Sequence, residues 1–472
     1  MELTVGEIAA ATHGRVLAGD PSWPATSFSY DSRILEPGAC FVALRGNRDG
    51  HDFVHDAFAR GAVVAVVARD PRDPNRPGAR ALVQVDDPLR ALGDLGRLAR
   101  DRMGHATVVG VTGSAGKTST KDLAQAALSR RFEVLASPAS FNNESGLPLT
   151  LLAGTERTEV VVAEMGARFA GNIRDLCEIA RPTVGVITHV GMAHAEHLGG
   201  RDGIARVKAE LLDALPDDGV AIVNADDDVT PSLVAGRGFR VVPVGTTADP
   251  AVGVRVGDVA LDHELRPEFT LDSPWGSTRV GLDVRGEHQA LNAGMAAAVA
   301  LVLGTPIDDV ALGLASARGA SWRMELGHSP AGVTVLNDAY NASPTAVAAA
   351  LRSFAHLPTG GRRVVVLGEM LELGEHGPGE HERLGELAGE LRLDGVVAVG
   401  TAAAPIATGA REAGVAAVVE VATSADALSA VVGLVGPGDA VLVKASRAVG
   451  LEVVADALVA GAADGHPRAA SQ

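Results

Sequence analysis

The sequence predicts an α/β protein of three domains: a small α/β unit, a central domain built on a parallel sheet, and a third, Rossmann-like domain that is doubly wound. Three observations carry this expectation. A chain of 472 residues has room for about three domains at roughly 150 residues each. Short runs rich in Val, Ile and Ala alternate with segments at helical spacing, the pattern of a parallel sheet covered by helices on both faces. One of those runs, Thr107–Val111, feeds directly into a glycine-rich turn and then a helical segment. That order of strand, loop and helix is the layout of a phosphate-binding loop.

The elements follow in order. The first unit, residues 1–100, carries apolar runs at Ala62–Val67 and Ala81–Val85, separated by a Pro- and Arg-rich stretch, Asp70–Arg80, that reads as a surface loop. The central unit, residues 101–317, contains the glycine loop, a helix over Ser119–Arg130, strands ending at Glu164 and Thr188, an antiparallel excursion over Val252–Gly286 and an Ala-rich helix over Leu291–Leu303. The pattern resets at Ala317–Ser321. Residues 318–472 then give strands at Val333–Leu336, Val364–Leu367, Val396–Val399, Val418–Val421 and Ala440–Val443 with helices between, and an Ala-rich tail after Ala460 expected to fray.

Composition narrows the function. Hydrophobic residues at 47% and charged residues at 21% are the balance of folded domains, and with aromatics at 3% the cores must be built from Val, Leu and Ala. The 58 acidic against 41 basic residues leave a net charge of -17, which disfavours nucleic acid and anionic membranes as partners. Cys40 and Cys177 are too few for a disulfide framework and are expected to be inert buried thiols in a reducing cytoplasm. The acidic start, Met1 to Glu7, lacks a signal pattern, and no apolar run reaches the ~20 residues of a membrane span. A cytoplasmic protein without membrane insertion is expected.

The loop Thr112-Gly113-Ser114-Ala115-Gly116-Lys117-Thr118, with Ser119 after it, offers backbone N–H groups and a lysine to phosphate oxygens, and a hydroxyl to Mg²⁺. It departs from the strict pattern, because Val111 stands where the first glycine belongs and Gly110 comes one residue early. Phosphoryl chemistry also needs metal ligands at neighbouring strand ends. Glu164 stands at one, either as a ligand or as a helix cap before Gly166. The segment Thr188–His197 follows another and holds three histidines, His194 among them, each a ligand or a loop residue. Lys208, within the helical run Gly203–Leu215, reads by its spacing as a solvated face residue. In the third domain, Trp322-Arg323-Met324-Glu325 precedes Asn337-Asp338-Ala339-Tyr340-Asn341-Ala342-Ser343-Pro344, a surface for ribose or adenine or else a turn with a helix cap. Lys444 and Arg447, around Ser446, suit an anionic substrate or are solvated loop charges.

Taken together, these stretches resemble the Mur ligase family over nearly the whole chain. Tyr30-Asp31-Ser32-Arg33 and Arg45–Phe53 look like its uridine-nucleotide-binding first domain. Asn142-Asn143-Glu144 and Glu164-Met165-Gly166-Ala167 add to the central match, where the irregular glycine loop is also what the family leads one to expect. Asp338–Pro344, Val366–Gly374 and Val443–Arg447 resemble the member that adds a dipeptide, and the run Asp-Asn-Pro-Arg of a sibling that adds a single amino acid is absent.

The resemblance implies ATP as cofactor with two Mg²⁺ ions. Lys117 would hold the phosphates, Thr118 and Glu164 one ion, and His194 a second, shared with a carbamylated Lys208. Asn292, Arg323 and Asp338 match ATP-contacting positions, with Tyr340 and Asn341 beside them. Asp31, Ser32, Arg33, Asn142, Asn143, Asn172, Arg174, Lys444, Ser446 and Arg447 would face the substrates. Arg168-Phe169-Ala170 stands where relatives often show Asn-His-Gln. The implied reaction joins D-Ala-D-Ala to UDP-MurNAc-tripeptide through an acyl phosphate, with the third domain closing on the second and the chain acting as a monomer. Two rivals remain: a sibling ligase adding a single amino acid, and a nucleotide-driven switch that makes no bond.

Overall fold

A computed structural model describes residues 1–71, 80–192 and 195–461. Most of the expected loop Asp70–Arg80, residue His194, and all but the first residue of the tail after Ala460 lie outside the described residues. The fold is the expected mixed α/β arrangement, organised on three large sheets and a two-stranded ribbon.

The first sheet has five strands in the order Arg15–Ala18, Ala81–Gln84, Val64–Val67, Ala39–Val42 and Ser27–Ser29. All pair in parallel except Arg15–Ala18. The helix Pro88–Arg102 leaves this unit with Asp87 capping it and Pro88 in its first turn, where a missing N–H costs nothing. Its face of Ala91, Leu92, Leu95 and Ala99 joins the same core as Leu147, Ile173 and Leu211 of the central unit. Gly96 lets it approach closely, because a Cβ there would sit 2.9 Å from Pro148. The first unit is thus packed against the second through a shared helix that runs across the expected boundary at residue 100.

The central sheet has nine strands. In order they are Val134–Ala136, Val160–Glu164, Thr107–Thr112, Val184–Ile187, Val220–Asn224, Arg240–Gly245, Val254–Leu261, Pro267–Ser273 and Gly276–Gly281. The first seven pair in parallel and the last two continue antiparallel, so the excursion over Val252–Gly286 is an extension of the sheet edge. Strands such as Val-Val-Val-Ala-Glu, residues 160–164, are buried at every position because helices cover both faces. Lys117–Leu128, His288–Val302 and Ile307–Ser316 pack on one face; Asn172–Ala180 and Gly200–Asp213 pack on the other.

The third sheet runs Glu325–His328, Thr334–Asn337, Ala440–Lys444, Arg363–Gly368, Gly395–Val399 and Ala417–Val421. Only the first, an edge strand that periodicity did not suggest, is antiparallel. Because Ala440–Lys444 is inserted between Thr334–Asn337 and Arg363–Gly368, the carboxyl ends of three strands distant in sequence lie side by side. That is where open α/β sheets bind ligands.

Both thiols are buried as expected. Cys40 is fully buried and Cys177 is 3% exposed, and burial pushes the Cys177 thiol up to about 12. No helix among the described residues is long and apolar enough to cross a membrane.

Phe269 is fully buried on strand Pro267–Ser273 against the core beneath the Ala-rich helix. Truncating it to Ala is expected to destabilise the central unit by about 3–5 kcal/mol, read as a lower urea midpoint followed by far-ultraviolet circular dichroism; an unchanged midpoint would show that the antiparallel edge is not part of that core.

Candidate active site

The glycine loop is shaped by the strand end next to it. Strand Thr107–Thr112 lies between Val160–Glu164 and Val184–Ile187, and the residue after the latter, Thr188, reaches back to the loop. Its hydroxyl donates to Ala115 O at 2.5 Å and lies 3.2 Å from Thr112 O. Gly113 has φ of +152°, and a Cβ on it would fall 1.9 Å from Thr188 Oγ1. Gly116, at φ +83°, would place a Cβ 2.5 Å from Asn292 Oδ1. Both positions demand glycine. Ser114 N donates to His189 O at 2.8 Å, Ser114 Oγ donates to Gly191 O at 3.1 Å, and Gly191 N donates to Ser114 Oγ at 3.0 Å. Lys117 lies across the loop with Nζ donating to Gly113 O at 2.8 Å. Burial lowers its pKa, opposed by the nearby Glu164 carboxylate.

Glu164 is 1% exposed. Its Oε1 accepts from Asn142 Nδ2 at 2.8 Å, while Oε2 is buried with no hydrogen-bond partner among the described residues. It is not a helix cap. The N–H groups of Gly171 and Arg174, at the start of helix Asn172–Ala180, donate to Glu210 at 2.7 and 3.0 Å. An ionised carboxylate oxygen left without a partner is costly, and the geometry fits a cation partner.

Lys208 corrects an expectation read from spacing, since it is 2% exposed and not on a solvated face. Its helix, Gly200–Asp213, buries Ile204, Val207, Leu211 and Leu212 along the same side. Its ammonium has no hydrogen bond among the described residues, and burial together with the charge of nearby Lys117 lowers its pKa to about 7.

The third domain supplies the facing wall. Arg323 Nη2 donates to Thr118 Oγ1 at 3.1 Å, and its guanidinium stacks 4.0 Å from the Tyr340 ring centre. The Tyr340 hydroxyl in turn hydrogen-bonds Ser140 of the central unit. Arg323 stands between two non-glycine residues in left-handed conformation, Trp322 at φ +59° and Met324 at φ +53°, an uncommon backbone that is held by its neighbours. Asp338 Oδ1 accepts from Met324 N at 3.2 Å, and Trp322 O accepts from Tyr340 N at 3.1 Å. Beside Arg323, a small cleft is lined by Ser119, Asp122, Leu123, Gln289 and Ala320. Asn292 Nδ2 donates to Gln289 Oε1 at 3.0 Å, which places both amides between the loop and the cleft.

Other expected contacts have different surroundings. Lys444, 4% exposed, pairs with Asp338 Oδ2 at 2.6 Å and donates to Asn341 O at 2.9 Å, so its charge is neutralised inside the domain. Ser446 Oγ accepts from Leu371 N at 3.0 Å. Arg447 pairs with Glu452 at 2.8 Å and stacks 4.4 Å from the Trp322 ring centre. Asn143 Oδ1 accepts from Gly146 N at 2.9 Å at the start of a helix. Asn172 Oδ1 accepts from the N–H groups of Arg168 and Phe169 at 3.1 and 2.9 Å, and the Arg174 side chain is exposed. In the first unit Asp31 caps the turn Ser32–Ile34 and pairs with Arg33 at 2.6 Å; that hydrogen-bonded pair lowers the Asp31 carboxyl to about 2. His51 binds Asp49 at 2.6 Å and accepts from Ala68 N at 2.8 Å, fixing the Arg45–Phe53 loop to the sheet.

Sequence reasoning singled out His194 in the segment after Ile187 and missed Thr188, His189 and Gly191 as loop partners. It also missed Lys121, which is 2% exposed and donates to Ser137 O at 2.6 Å and Ala139 O at 3.2 Å. That contact holds the segment carrying Ser140 and Asn142 against the helix after the loop. A buried lysine on an amphipathic helix has no distinguishing sequence signal.

A phosphate loop on a parallel sheet, faced by an arginine from a second α/β domain across an unsatisfied acidic strand end, defines an ATP-dependent ligase architecture, and comparison with known proteins agrees. The Mur ligase middle domain matches residues 111–300, the Mur ligase glutamate ligase domain residues 322–447, and the Mur ligase family catalytic domain residues 25–100. The chain belongs to the Mur ligase family. Within it, the chain is 41% identical over 502 aligned positions to the UDP-N-acetylmuramoyl-tripeptide--D-alanyl-D-alanine ligase of Mycobacterium tuberculosis, covering 98% of each protein. Among solved structures it is similar to MurF from Acinetobacter baumannii, with a TM-score of 0.87, 33% identity and coverage of 97% of this chain and 99% of that one. It is also similar to the MurF ligase of Thermotoga maritima in complex with ADP, with a TM-score of 0.77, 30% identity and coverage of 92% and 97%.

Gly113→Ala is expected to force the loop off Thr188 and weaken ATP binding by about tenfold or more, a loss of at least ~1.4 kcal/mol, in a calorimetric titration. Gly360→Ala, where a Cβ meets nothing within 4 Å, serves as control; equal affinities for the two variants would remove the Thr188 contact from loop function.

Proposed function

We propose that the chain joins D-alanyl-D-alanine to UDP-MurNAc-tripeptide at the expense of ATP, releasing ADP and phosphate, as a step of peptidoglycan synthesis in the cytoplasm. The observation that carries this is the unsatisfied Glu164 Oε2 beside a phosphate loop whose Thr118 is touched by Arg323 of the third domain. The reading assigns residues 1–100 to the uridine nucleotide, 101–317 to ATP and 318–472 to the incoming dipeptide.

A carboxylate is a poor electrophile at neutral pH and must be activated. In this reading the terminal carboxylate of the tripeptide attacks the γ-phosphorus of ATP, and ADP departs. The dipeptide amine then attacks the acyl phosphate carbon, and phosphate leaves as the amide forms. Lys117 and Arg323 approach the phosphates from opposite domains and oppose the charge that builds on the transferring phosphoryl and on the tetrahedral oxyanion. Asn142 orients Glu164 through its 2.8 Å hydrogen bond. In this reading the nucleoside lies along the surface of Ser119, Asp122 and Gln289, with Asn292, Tyr340 and Asn341 as further contacts.

Thr118 and Glu164 are hard oxygen donors that fit one Mg²⁺, and a second would be held by His194 and a carbamate on Lys208. Bound Mg²⁺ neutralises phosphate charge and polarises the phosphoryl oxygens. The Lys208 amine suits carbamylation because only an uncharged amine attacks CO₂, and its pKa of about 7 leaves much of it uncharged at neutral pH. The product would be a carboxylate in place of an amine that has no hydrogen bond among the described residues.

Phosphate release from ATP and UDP-MurNAc-tripeptide is expected to require D-Ala-D-Ala. Turnover with a single amino acid in its place would assign a sibling ligase, and turnover without any acceptor would assign a nucleotide switch. Lys117→Ala is expected to lower the ligation rate by about 10²–10³-fold, the range for removing one preorganised charge-stabilising donor, with the circular dichroism spectrum unchanged; full activity would remove the lysine from the reaction. Lys208→Ala is expected to be inactive and to regain activity with added short carboxylic acids, whereas an active variant needing no acid would refute the carbamate.

A further inference from the structure

The segment that shapes the phosphate loop also touches the third domain. His189 is bonded to the loop through its main chain, with its carbonyl accepting from Ser114 N at 2.8 Å. Its side chain reaches the other way. Nδ1 lies 2.6 Å from Asp227 Oδ2, and the Asp227 side chain is fully buried. Burial works against the Asp227 charge, but the His189 hydrogen bond and the N–H groups of Val190 and Val229 outweigh it and hold the carboxyl well below its usual range. An ionised carboxylate at Nδ1 places the imidazole proton there. Nε2 therefore faces Thr345 Oγ1, 3.3 Å away, with an acceptor lone pair when the ring is neutral.

Thr345 is the second residue of helix Pro344–Ala355, which starts directly after the segment Asp338–Ser343 that carries Tyr340, the ring stacked on Arg323. Gly191 completes the seam. A Cβ on it would lie 2.9 Å from both Thr345 Oγ1 and His189 Nε2, so any side chain there would displace one of them, and the same residue's N–H and C=O hold Ser114. Two residues thus bond the phosphate loop on one side and meet the third domain on the other.

We propose that His189, fixed by Asp227, is a positioning residue that couples the seating of the phosphate loop to docking of the third domain, with Gly191 setting the distance of approach. This rests on the ligase reading above, in which both domains must meet around the substrates. The seam lies outside the groups that touch phosphate, so its effect is on how much of the nucleotide-bound protein is closed and ready to react.

The test uses the full chain with ATP, UDP-MurNAc-tripeptide and D-Ala-D-Ala. His189→Asn keeps a donor for Asp227 in the place of Nδ1 but does not reach Thr345; Thr345→Val removes the hydroxyl from the other side, and Thr345→Ser keeps it. Each of the first two is expected to lower kcat about three- to ten-fold, the worth of one hydrogen bond, with the Kd for ATP alone changed by less than about twofold. The double variant is expected to fall no further than the worse single one, and Thr345→Ser to match the parent. Unchanged kcat in Thr345→Val, losses that multiply in the double variant, ATP affinity falling in step with kcat, or Thr345→Ser behaving like Thr345→Val would each overturn the proposal. If His189→Asn fails to fold, the two Thr345 variants decide. If the parent protein joins no substrates, the ligase reading fails separately, and small-angle scattering with a non-hydrolysable ATP analogue still tests the seam. The parent is then expected to contract more than Thr345→Val, and equal contraction would overturn the coupling.

Discussion

The Thr188 hydroxyl bonded beneath the phosphate loop is the contact on which the rest of the site depends. It closes on Ala115 O at 2.5 Å and occupies the space where any side chain at position 113 would project. The loop conformation is therefore set from outside, by a strand paired in parallel beside the one that enters the loop. Once the loop is seated, Lys117 and Thr118 are carried to the first turn of their helix, where the backbone N–H groups and the helix dipole favour an anion. Gly191 and His189, continuing from Thr188, extend that support to Ser114.

Around this loop the protein accumulates polar groups that it does not itself satisfy. Glu164 Oε2 has no donor among the described residues, and the Lys208 amine is shifted to about 7 by burial and by Lys117. Each such group costs stability, on the order of 1–3 kcal/mol for an unpaired buried polar atom, and the apolar strands beneath carry that cost. Residues outside this centre behave differently. Asp338 and Lys444 neutralise each other, Arg447 is matched by Glu452, and Asp31 by Arg33. The contrast separates buried groups left without a protein partner among the described residues from groups whose charge is matched within the fold.

The wall opposite is placed by contacts between domains. Arg323 reaches Thr118, Tyr340 reaches Ser140, and Thr345 reaches His189. Two left-handed residues, Trp322 and Met324, flank Arg323 and turn its side chain toward the loop. Their backbone is fixed by Asp338 and Tyr340, so the segment after strand Thr334–Asn337 aims the arginine.

The sequence alone determined the α/β class, the strand, loop and helix around Lys117, the doubly wound third domain and the family, because these rest on local periodicity and on contiguous motifs. Glu164 and Arg323 were legible for the same reason, each standing in a recognisable run. The tertiary structure decided what depends on neighbours far apart in the chain. It showed that Lys208 is buried because its helix turns that side to the core, and that Glu210 rather than Glu164 caps helix Asn172–Ala180. It also placed Lys444 on Asp338, 106 residues away. Thr188, His189 and Gly191 followed a strand end and looked like ordinary loop residues. Only the parallel pairing of that strand beside Thr107–Thr112 brings them beneath the phosphate loop, because strand order in a sheet is set by packing over the whole domain and leaves no mark in local sequence.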